Sequence, residues 1–248
     1  MSYAAPAPIA AIDLAGAQAA MAGGPPRFLG VRFDAQRRPV PCSGCTVVAH
    51  LDPGDHAPFA AVRDALVNAD AADHWAWLPR SSYHMTVFDL LLHNRREPGF
   101  WPSGLAADAS NAEADAFAFE RLRHSGRSAS PPFLMRVEGL AANAATAACI
   151  SVRLAPVDAA ENARMRHLRD GWADALGLRQ RPGHEAYAFH VTLAYLVRWP
   201  DGGERSKAEA ALTKASAELR SQKPILALTR CDACVFSCMT AFSPQFAA

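Results

Sequence analysis

The chain reads Tyr83-His84-Met85-Thr86-Val87-Phe88 at one point and Phe189-His190-Val191-Thr192-Leu193-Ala194 at another. Both segments are rich in β-branched, aromatic and other apolar residues, which favours β-strands. In each, an aromatic residue precedes a His-x-Thr tripeptide and an aliphatic residue follows it, and no other His-x-Thr tripeptide occurs in the 248 residues. The two segments lie almost half a chain apart, which indicates that the second half repeats the first.

The residues before each segment have the same order of predicted elements. In the first half, the β-branched run 45–51 predicts a strand, and apolar residues recur at helical spacing over 59–66. In the second half, a strand is predicted over 149–154 and an amphipathic helix over 165–176. Two such strand–helix–strand units predict an α+β fold with two pseudo-symmetric lobes. Antiparallel sheets would line a central cleft and helices would lie outside.

The chain divides into a tail and one domain. Residues 1–26 are rich in Ala and Pro and end in Gly-Gly-Pro-Pro, and we expect them to form a flexible tail. Residues 27–248 are expected to form a single bilobal domain, with halves of roughly 27–130 and 131–248. A helix is predicted over 111–123, within the polar insertion between the halves.

The composition restricts the partners of the protein. Hydrophobic residues make up 50% and charged residues 20%, as in ordinary soluble proteins, and the net charge is only +1. A protein that neutralises many phosphates usually has a basic excess, so an extended nucleic-acid surface is not expected. No apolar run reaches the roughly 20 residues of a membrane span, and the start lacks a secretory signal. We expect a cytoplasmic monomer that does not bind membranes, and the sequence indicates no particular protein partner.

The six cysteines include two Cys-x-x-Cys pairs, Cys42 with Cys45 and Cys231 with Cys234. A structural zinc site built from these pairs is one interpretation. Neither pair lies in a Gly-rich turn with further ligands nearby, so we favour small, buried, free thiols in a reducing compartment. We therefore predict no metal site.

Strand geometry explains the spacing inside the tripeptides. Alternate residues of a strand point to the same face, so His84 and Thr86 project together, as do His190 and Thr192. If the two lobes face each other, two imidazoles and two hydroxyl groups meet in one cleft. A pair of imidazoles suits acid–base chemistry near neutral pH, and Thr hydroxyls can donate to phosphate oxygens. In the alternative interpretation, each His belongs to a buried network and each Thr only favours a strand.

These tripeptides, with the stretches 46–51, 78–88 and 184–195 around them, resemble the 2H phosphoesterase superfamily. Within it they resemble an uncharacterised branch, a domain of unknown function related to cyclic phosphodiesterases. The resemblance covers roughly residues 27–242. It implies a bilobal fold and hydrolysis of a 2′,3′-cyclic phosphate, or a related phosphodiester, on a nucleotide or RNA end. Neither a metal ion nor another cofactor is implied.

By motif match, the resemblance gives His84 and His190 the catalytic roles, and Thr86 and Thr192 the role of holding the substrate phosphate. We favour His190 as the base and His84 as the acid, although the sequence does not orient the substrate. The alternative function is a nucleotide-binding module that uses the same cleft without turnover.

Further residues are candidates for the cleft. Alignment of the two halves places His50 opposite Arg153 in the repeat, and an arginine suits a phosphate oxygen. Solvated residues at strand ends are the alternative for both. Three other candidates lie within or beside the two motif segments: Tyr83, Tyr187 and His184. The two tyrosines could stack on a base or fill the core, and Tyr195, which strand alternation places with Val191, is assigned to the core.

Overall fold

The computed structural model describes residues 11–248, so the first ten residues of the predicted tail lie outside the described part of the chain. The strands are β1 (Gly44–His50), β2 (Trp75–Trp77), β3 (His84–Leu92), β4 (Phe133–Ala141), β5 (Ile150–Pro156), β6 (His190–Leu196), β7 (Ile225–Leu228), β8 (Arg230–Cys238) and β9 (Ala241–Ala247). The α-helices are α1 (Leu14–Ala20), α2 (His56–Asn68), α3 (Asn111–Arg123), α4 (Ala159–Leu176) and α5 (Gly202–Gln222). Short 3-10 helices span Pro53–Asp55, Ala72–His74, Arg80–Ser82 and Ala144–Thr146.

The nine strands form one antiparallel sheet in the order β7-β4-β5-β6-β3-β1-β8-β9, and β2 pairs with β6 beside this path. The predicted α+β fold with antiparallel strands is confirmed. The lobes do not carry two separate sheets, however, because β3 of the first half meets β6 of the second at the residue pair Met85 and Val191. This short contact joins the two halves into a single sheet and brings the two His-x-Thr segments together.

Helices pack on this sheet and enclose the core. Helix α4 contacts β3 and β5, α3 packs on α4, and α5 packs on β4 and on α2. The apolar residues between the motif positions, Met85 and Val191, are fully buried in this core. The motif strands therefore turn one face to the core and the other to a cavity.

The local sequence determines both ends of helix α4. The Asp158 side chain accepts a hydrogen bond from the amide of Glu161, so the helix begins before the predicted residue 165. Gly177 ends it with a positive φ of 69°, a conformation that favours glycine. Helix α3 matches the prediction over 111–123, and Ser110 and Glu113 form its capping box.

The described part of the predicted tail belongs to the fold. Leu14 and Ala17 of α1 are buried in the core, and the Leu14 amide donates to Glu209 of α5. The amide of Asp13 also donates to the carbonyl of Ala142. The expectation of a flexible tail therefore does not hold for α1, whose residues Leu14 and Ala17 pack on the core.

Two further features of the structure concern membrane spans and the state of the cysteines. Among residues 11–248, no helix combines the length and apolar character needed to cross a bilayer. All six cysteines are free thiols, and all but Cys238 are buried.

Candidate active site

The two His-x-Thr tripeptides lie side by side in the sheet. The central residue of the first tripeptide, Met85, pairs with the central residue of the second, Val191. The His and Thr on either side of each central residue therefore lie next to those of the other tripeptide. All four motif side chains are partly exposed and line one cavity of about 210 Å³. The structure therefore brings together the four residues that the sequence singled out.

Both imidazoles are held in the same way. Nδ1 of His84 donates to the carbonyl of Ser82 at 2.7 Å, and Nδ1 of His190 donates to the carbonyl of Ala188 at 2.9 Å. In each case the acceptor lies two residues upstream, as the repeat requires. Because a carbonyl only accepts, Nδ1 carries the proton in both rings. Nε2 of each neutral ring is then left as a free proton acceptor.

The site favours neutral imidazoles. The pKa of His84 is lowered to about 4, mainly by removal from bulk water. The nearby His50 and His190 contribute to this lowering, and the hydrogen bond to the Ser82 carbonyl opposes it. The same loss of hydration lowers the pKa of His190, with a contribution from the positive charge of Arg153. The carboxylate of Asp89 acts in the opposite direction on both rings.

A β-bulge follows the threonine in each motif. In β3, Val48 pairs with Thr86 and Val47 with Phe88, so Val87 is an extra residue. This shift turns Asp89 to the cavity, whereas strict alternation would turn it to the core. Asp89 is therefore a site residue that the sequence analysis missed.

The second bulge is the counterpart of the first. In β6, Ser151 pairs with Thr192 and Ile150 with Ala194, so Leu193 is the extra residue. Tyr195 consequently lines the cavity at the position equivalent to Asp89. Its ring also packs against Phe28 at a centroid distance of 5.2 Å.

Residues far away in the sequence complete the cavity. Arg32, from the segment before β1, brings a positive charge to the wall. Met239, from the turn between β8 and β9, and Phe242, from β9, also line the cavity. The centroid of the Phe242 ring lies 4.2 Å from the centroid of the His84 ring. No local pattern in the sequence marks these three residues.

His50 and Arg153 occupy equivalent places in the two halves. His50 is in register with His84 on the neighbouring strand, and Arg153 is in register with His190. Nε2 of His50 lies 3.0 Å from Oδ2 of Asp232, which fixes this ring outside the cavity lining. Arg153 likewise does not line the cavity, and it makes no hydrogen bond or ion pair with another described residue.

The other three candidates lie in different environments. Tyr83 is only 4% exposed and packs in the core, so the expectation that it borders the cleft is corrected. His184 is also buried, with Nε2 2.8 Å from Asp170, and lines a neighbouring cavity rather than the cavity of the motif. Tyr187 lines both cavities, and its hydroxyl donates to the carbonyl of Thr86 at 3.2 Å.

The potential metal ligands lie outside the motif cavity. Among residues 11–248, the group of three close His, Cys, Asp or Glu side chains is Asp170, His184 and Glu185. Arg179 lies 2.8 Å from Asp170 and 3.5 Å from Glu185, so a cation already neutralises both carboxylates. The His-x-Thr cavity itself offers two imidazoles and two hydroxyl groups, which suit acid–base chemistry on an anion.

Comparison with known proteins gives three findings. The family model described as 2H-phosphodiest, domain of unknown function (DUF1868), matches residues 32–146, which include the first His-x-Thr tripeptide. The crystal structure of a conserved protein of unknown function, ATU0111 from Agrobacterium tumefaciens str. C58, is similar with 30% sequence identity and a TM-score of 0.80. The similarity covers 90% of this chain and 93% of the Agrobacterium chain. A search of the curated proteins finds no significant match.

Proposed function

The chain belongs to the 2H phosphoesterase superfamily, in the branch described as a domain of unknown function (DUF1868), and we propose that it hydrolyses a 2′,3′-cyclic phosphate on a nucleotide or RNA end. The family supports a phosphoesterase-type function; the cyclic substrate and the mechanism are our proposal. One observation carries it: two neutral imidazoles, each with Nδ1 bound to a carbonyl, line one cavity with two threonine hydroxyls.

The two histidines would divide the proton transfers. One Nε2 removes a proton from the attacking water while the new bond from oxygen to phosphorus forms. The other imidazole, protonated beforehand, gives its proton to the ribose oxygen as the bond from phosphorus to that oxygen breaks. The product is a phosphate monoester. Each ring returns to its starting state by proton exchange with solvent.

The pKa values favour one assignment of these roles. His84, with a pKa of about 4, is the better candidate for the unprotonated base. The pKa of His190 is also lowered, and a bound phosphate would raise it because an opposite charge favours the protonated ring. We therefore propose His84 as the base and His190 as the acid, which reverses the preference from the sequence.

The remaining groups would stabilise the phosphoryl oxygens. The hydroxyls of Thr86 and Thr192 can donate to the non-bridging oxygens as negative charge increases on them. Arg153 does not line the cavity, but it is in register with His190 and has no hydrogen-bond or ion-pair partner among residues 11–248, so it can approach a bound phosphate from that side. None of these contacts needs a metal ion.

Metal independence is tested with purified protein and a nucleoside 2′,3′-cyclic phosphate, assayed with and without EDTA. We expect equal rates, because every step is assigned to side chains of the chain. Loss of activity in EDTA that added Mg²⁺ or Mn²⁺ restores would contradict the proposal.

The value of kcat/KM should be greatest at a pH below 7. This ratio reports the free enzyme, in which one imidazole must be neutral and the other protonated. The pKa of His84 is about 4 and that of His190 lies below the ordinary 6.5, so activity should be greatest between these values. Measurement of kcat/KM from about pH 3.5 to about pH 9 checks this, and an optimum above neutrality would speak against it.

Each threonine should contribute less than each histidine. Thr86→Ala or Thr192→Ala removes one hydrogen bond to a charged oxygen, and such bonds contribute about 1.5–3 kcal/mol. We therefore expect kcat/KM to fall about 10- to 10²-fold. Thr86→Ser and Thr192→Ser, which keep the hydroxyl, should retain most of the activity. Equal losses in the Ala and Ser variants would show that the methyl group, and not the hydroxyl, is needed.

A further inference from the structure

A second cavity of about 220 Å³ adjoins the cavity of the motif, and we call it the arginine pocket. The two cavities share Asp89, Leu92 and Tyr187, so they are neighbouring parts of one cleft. The side chains that distinguish the arginine pocket are Arg95, Arg169, Arg181, Phe88, Phe100 and His184. Nothing in the proposed reaction uses these residues.

Arg169 is buried and Arg181 is partly buried, and neither has a carboxylate partner among the described residues. Arg169 is 3% exposed and donates to the carbonyl of Val87, while Arg181 donates to the carbonyls of Asp89 and Leu90. Neither forms an ion pair with a described residue, and Nε of each is buried without a hydrogen-bond partner. Most of the ten N–H donors in these two groups are therefore not used by the protein.

Buried charges of this kind carry a free-energy cost. Burial lowers the pKa of both Arg169 and Arg181, and Asp89 is the acidic group that partly offsets it. A buried cation normally has an anionic partner, because desolvation otherwise disfavours the charged form. An anion in the arginine pocket would supply that partner.

The third arginine lies at the open side of the pocket. The Arg95 side chain is 46% exposed, lies over the Phe100 ring at 3.2 Å from its centroid, and pairs with Glu97 at 2.8 Å. The Phe100 ring and Glu97 hold the guanidinium plane, and the Nη atoms of Arg95 have no hydrogen-bond partner among residues 11–248. Three arginines against the carboxylates of Asp89 and Glu97 leave a positive balance around the pocket.

We propose that the arginine pocket binds a second phosphate of the substrate, while the cyclic phosphate occupies the cavity of the two histidines. The substrate class is then a nucleotide with a further phosphate, such as an oligonucleotide end, rather than a mononucleotide. This proposal rests on the proposed function, because it takes the histidine cavity as the site of reaction. A phosphate matches the planar donor pairs that arginine presents.

Binding measurements with two adenosine probes test the second site without turnover. Isothermal titration calorimetry at fixed ionic strength compares adenosine 3′-monophosphate with adenosine 3′,5′-bisphosphate. We expect the bisphosphate to bind at least about tenfold more tightly to the wild-type protein, because charge-assisted hydrogen bonds form to the added phosphate. The dinucleotide ApAp, measured in parallel, distinguishes a phosphate between two nucleosides from one at a free 5′ end.

Two matched variants separate the pocket from general electrostatic attraction. Arg95→Ala should reduce the preference for the bisphosphate to about threefold or less. Arg136→Ala should keep the full preference, because Arg136 is equally exposed, pairs with a glutamate two residues on, and lines neither cavity. Thermal melts confirm that both variants are folded.

The results distinguish this proposal from the proposed function. Equal affinity for the two probes, or an undiminished preference in Arg95→Ala, would overturn the second phosphate site. If neither probe binds, the second site is rejected as well. The hydrolysis assay in EDTA remains the separate test of the reaction itself.

Discussion

Replacement of either histidine, His84→Ala or His190→Ala, is expected to lower kcat for a 2′,3′-cyclic nucleotide by about 10²–10⁴-fold, the usual contribution of a general acid or base. Each imidazole stands at a cavity wall and forms one hydrogen bond, to the carbonyl of Ser82 or Ala188. The free energy of unfolding should therefore change by about 1 kcal/mol or less. Steady-state kinetics and chemical denaturation of the same preparations measure the two effects.

The double variant and a surface control make this prediction specific. The double variant should be hardly slower than either single variant, because the two rings act as a unit. His124→Ala is the matched control, since His124 is exposed at the C-terminal cap of α3 and also bonds a carbonyl through Nδ1. It should keep wild-type activity. Variants at positions 84 and 190 that retain activity but unfold much more easily would identify these histidines as structural residues.

Arg169→Met is expected to destabilise the protein by about 1–3 kcal/mol and to lower its activity. Methionine keeps much of the apolar stem but leaves the carbonyl of Val87 without its donor. The Arg169 guanidinium also stacks on Tyr187, at 3.8 Å from the ring centroid, and Tyr187 holds the carbonyl of Thr86. Loss of these contacts loosens the bulge that positions Thr86 and Asp89.

Chemical denaturation and kinetics of Arg169→Met, compared with Arg220→Met, measure this effect. Arg220 is exposed in the last turn of α5, so its replacement should change stability by no more than about 0.5 kcal/mol. If Arg169→Met were as stable and active as the control, the bulge would not depend on this side chain.

The repeat made much of the fold and the motif positions predictable from sequence. Matching tripeptides in matching strands predicted that His84 and His190 meet, and alignment of the two halves gave His50 and Arg153 equivalent places. Strand alternation is a strong signal because one face of each strand is buried, as the fully buried Met85 illustrates. The prediction of antiparallel strands with outer helices follows from the same patterns.

There are physical reasons why the sequence did not reveal some of the residues that line the cavity. A bulge adds one residue to a strand and reverses the alternation beyond it, and the hydrophobic pattern of a short strand does not reveal it. Alternation therefore assigned Tyr195 to the core, and Asp89 was not considered, whereas both line the cavity. Arg32 and Phe242 reach the site from distant segments, which only the tertiary structure brings close.

The tail was misread for a related reason. Its Ala-rich composition has a weak amphipathic pattern, and a short isolated helix is marginal in water. Helix α1 forms because Leu14 and Ala17 pack on the core and Glu209 accepts from the first turn. These contacts join residues far apart in the sequence, so no local signal predicts them.

A ³¹P NMR time course of a nucleoside 2′,3′-cyclic phosphate with the protein in EDTA follows the proposed hydrolysis itself. We expect the wild-type protein to convert the cyclic-phosphate resonance into a monoester resonance, while His84→Ala and His190→Ala leave it almost unchanged. A cyclic resonance that shifts or broadens with the wild-type protein, yet never gives a monoester, would rule out hydrolysis of this substrate. The protein would then bind the nucleotide without turnover.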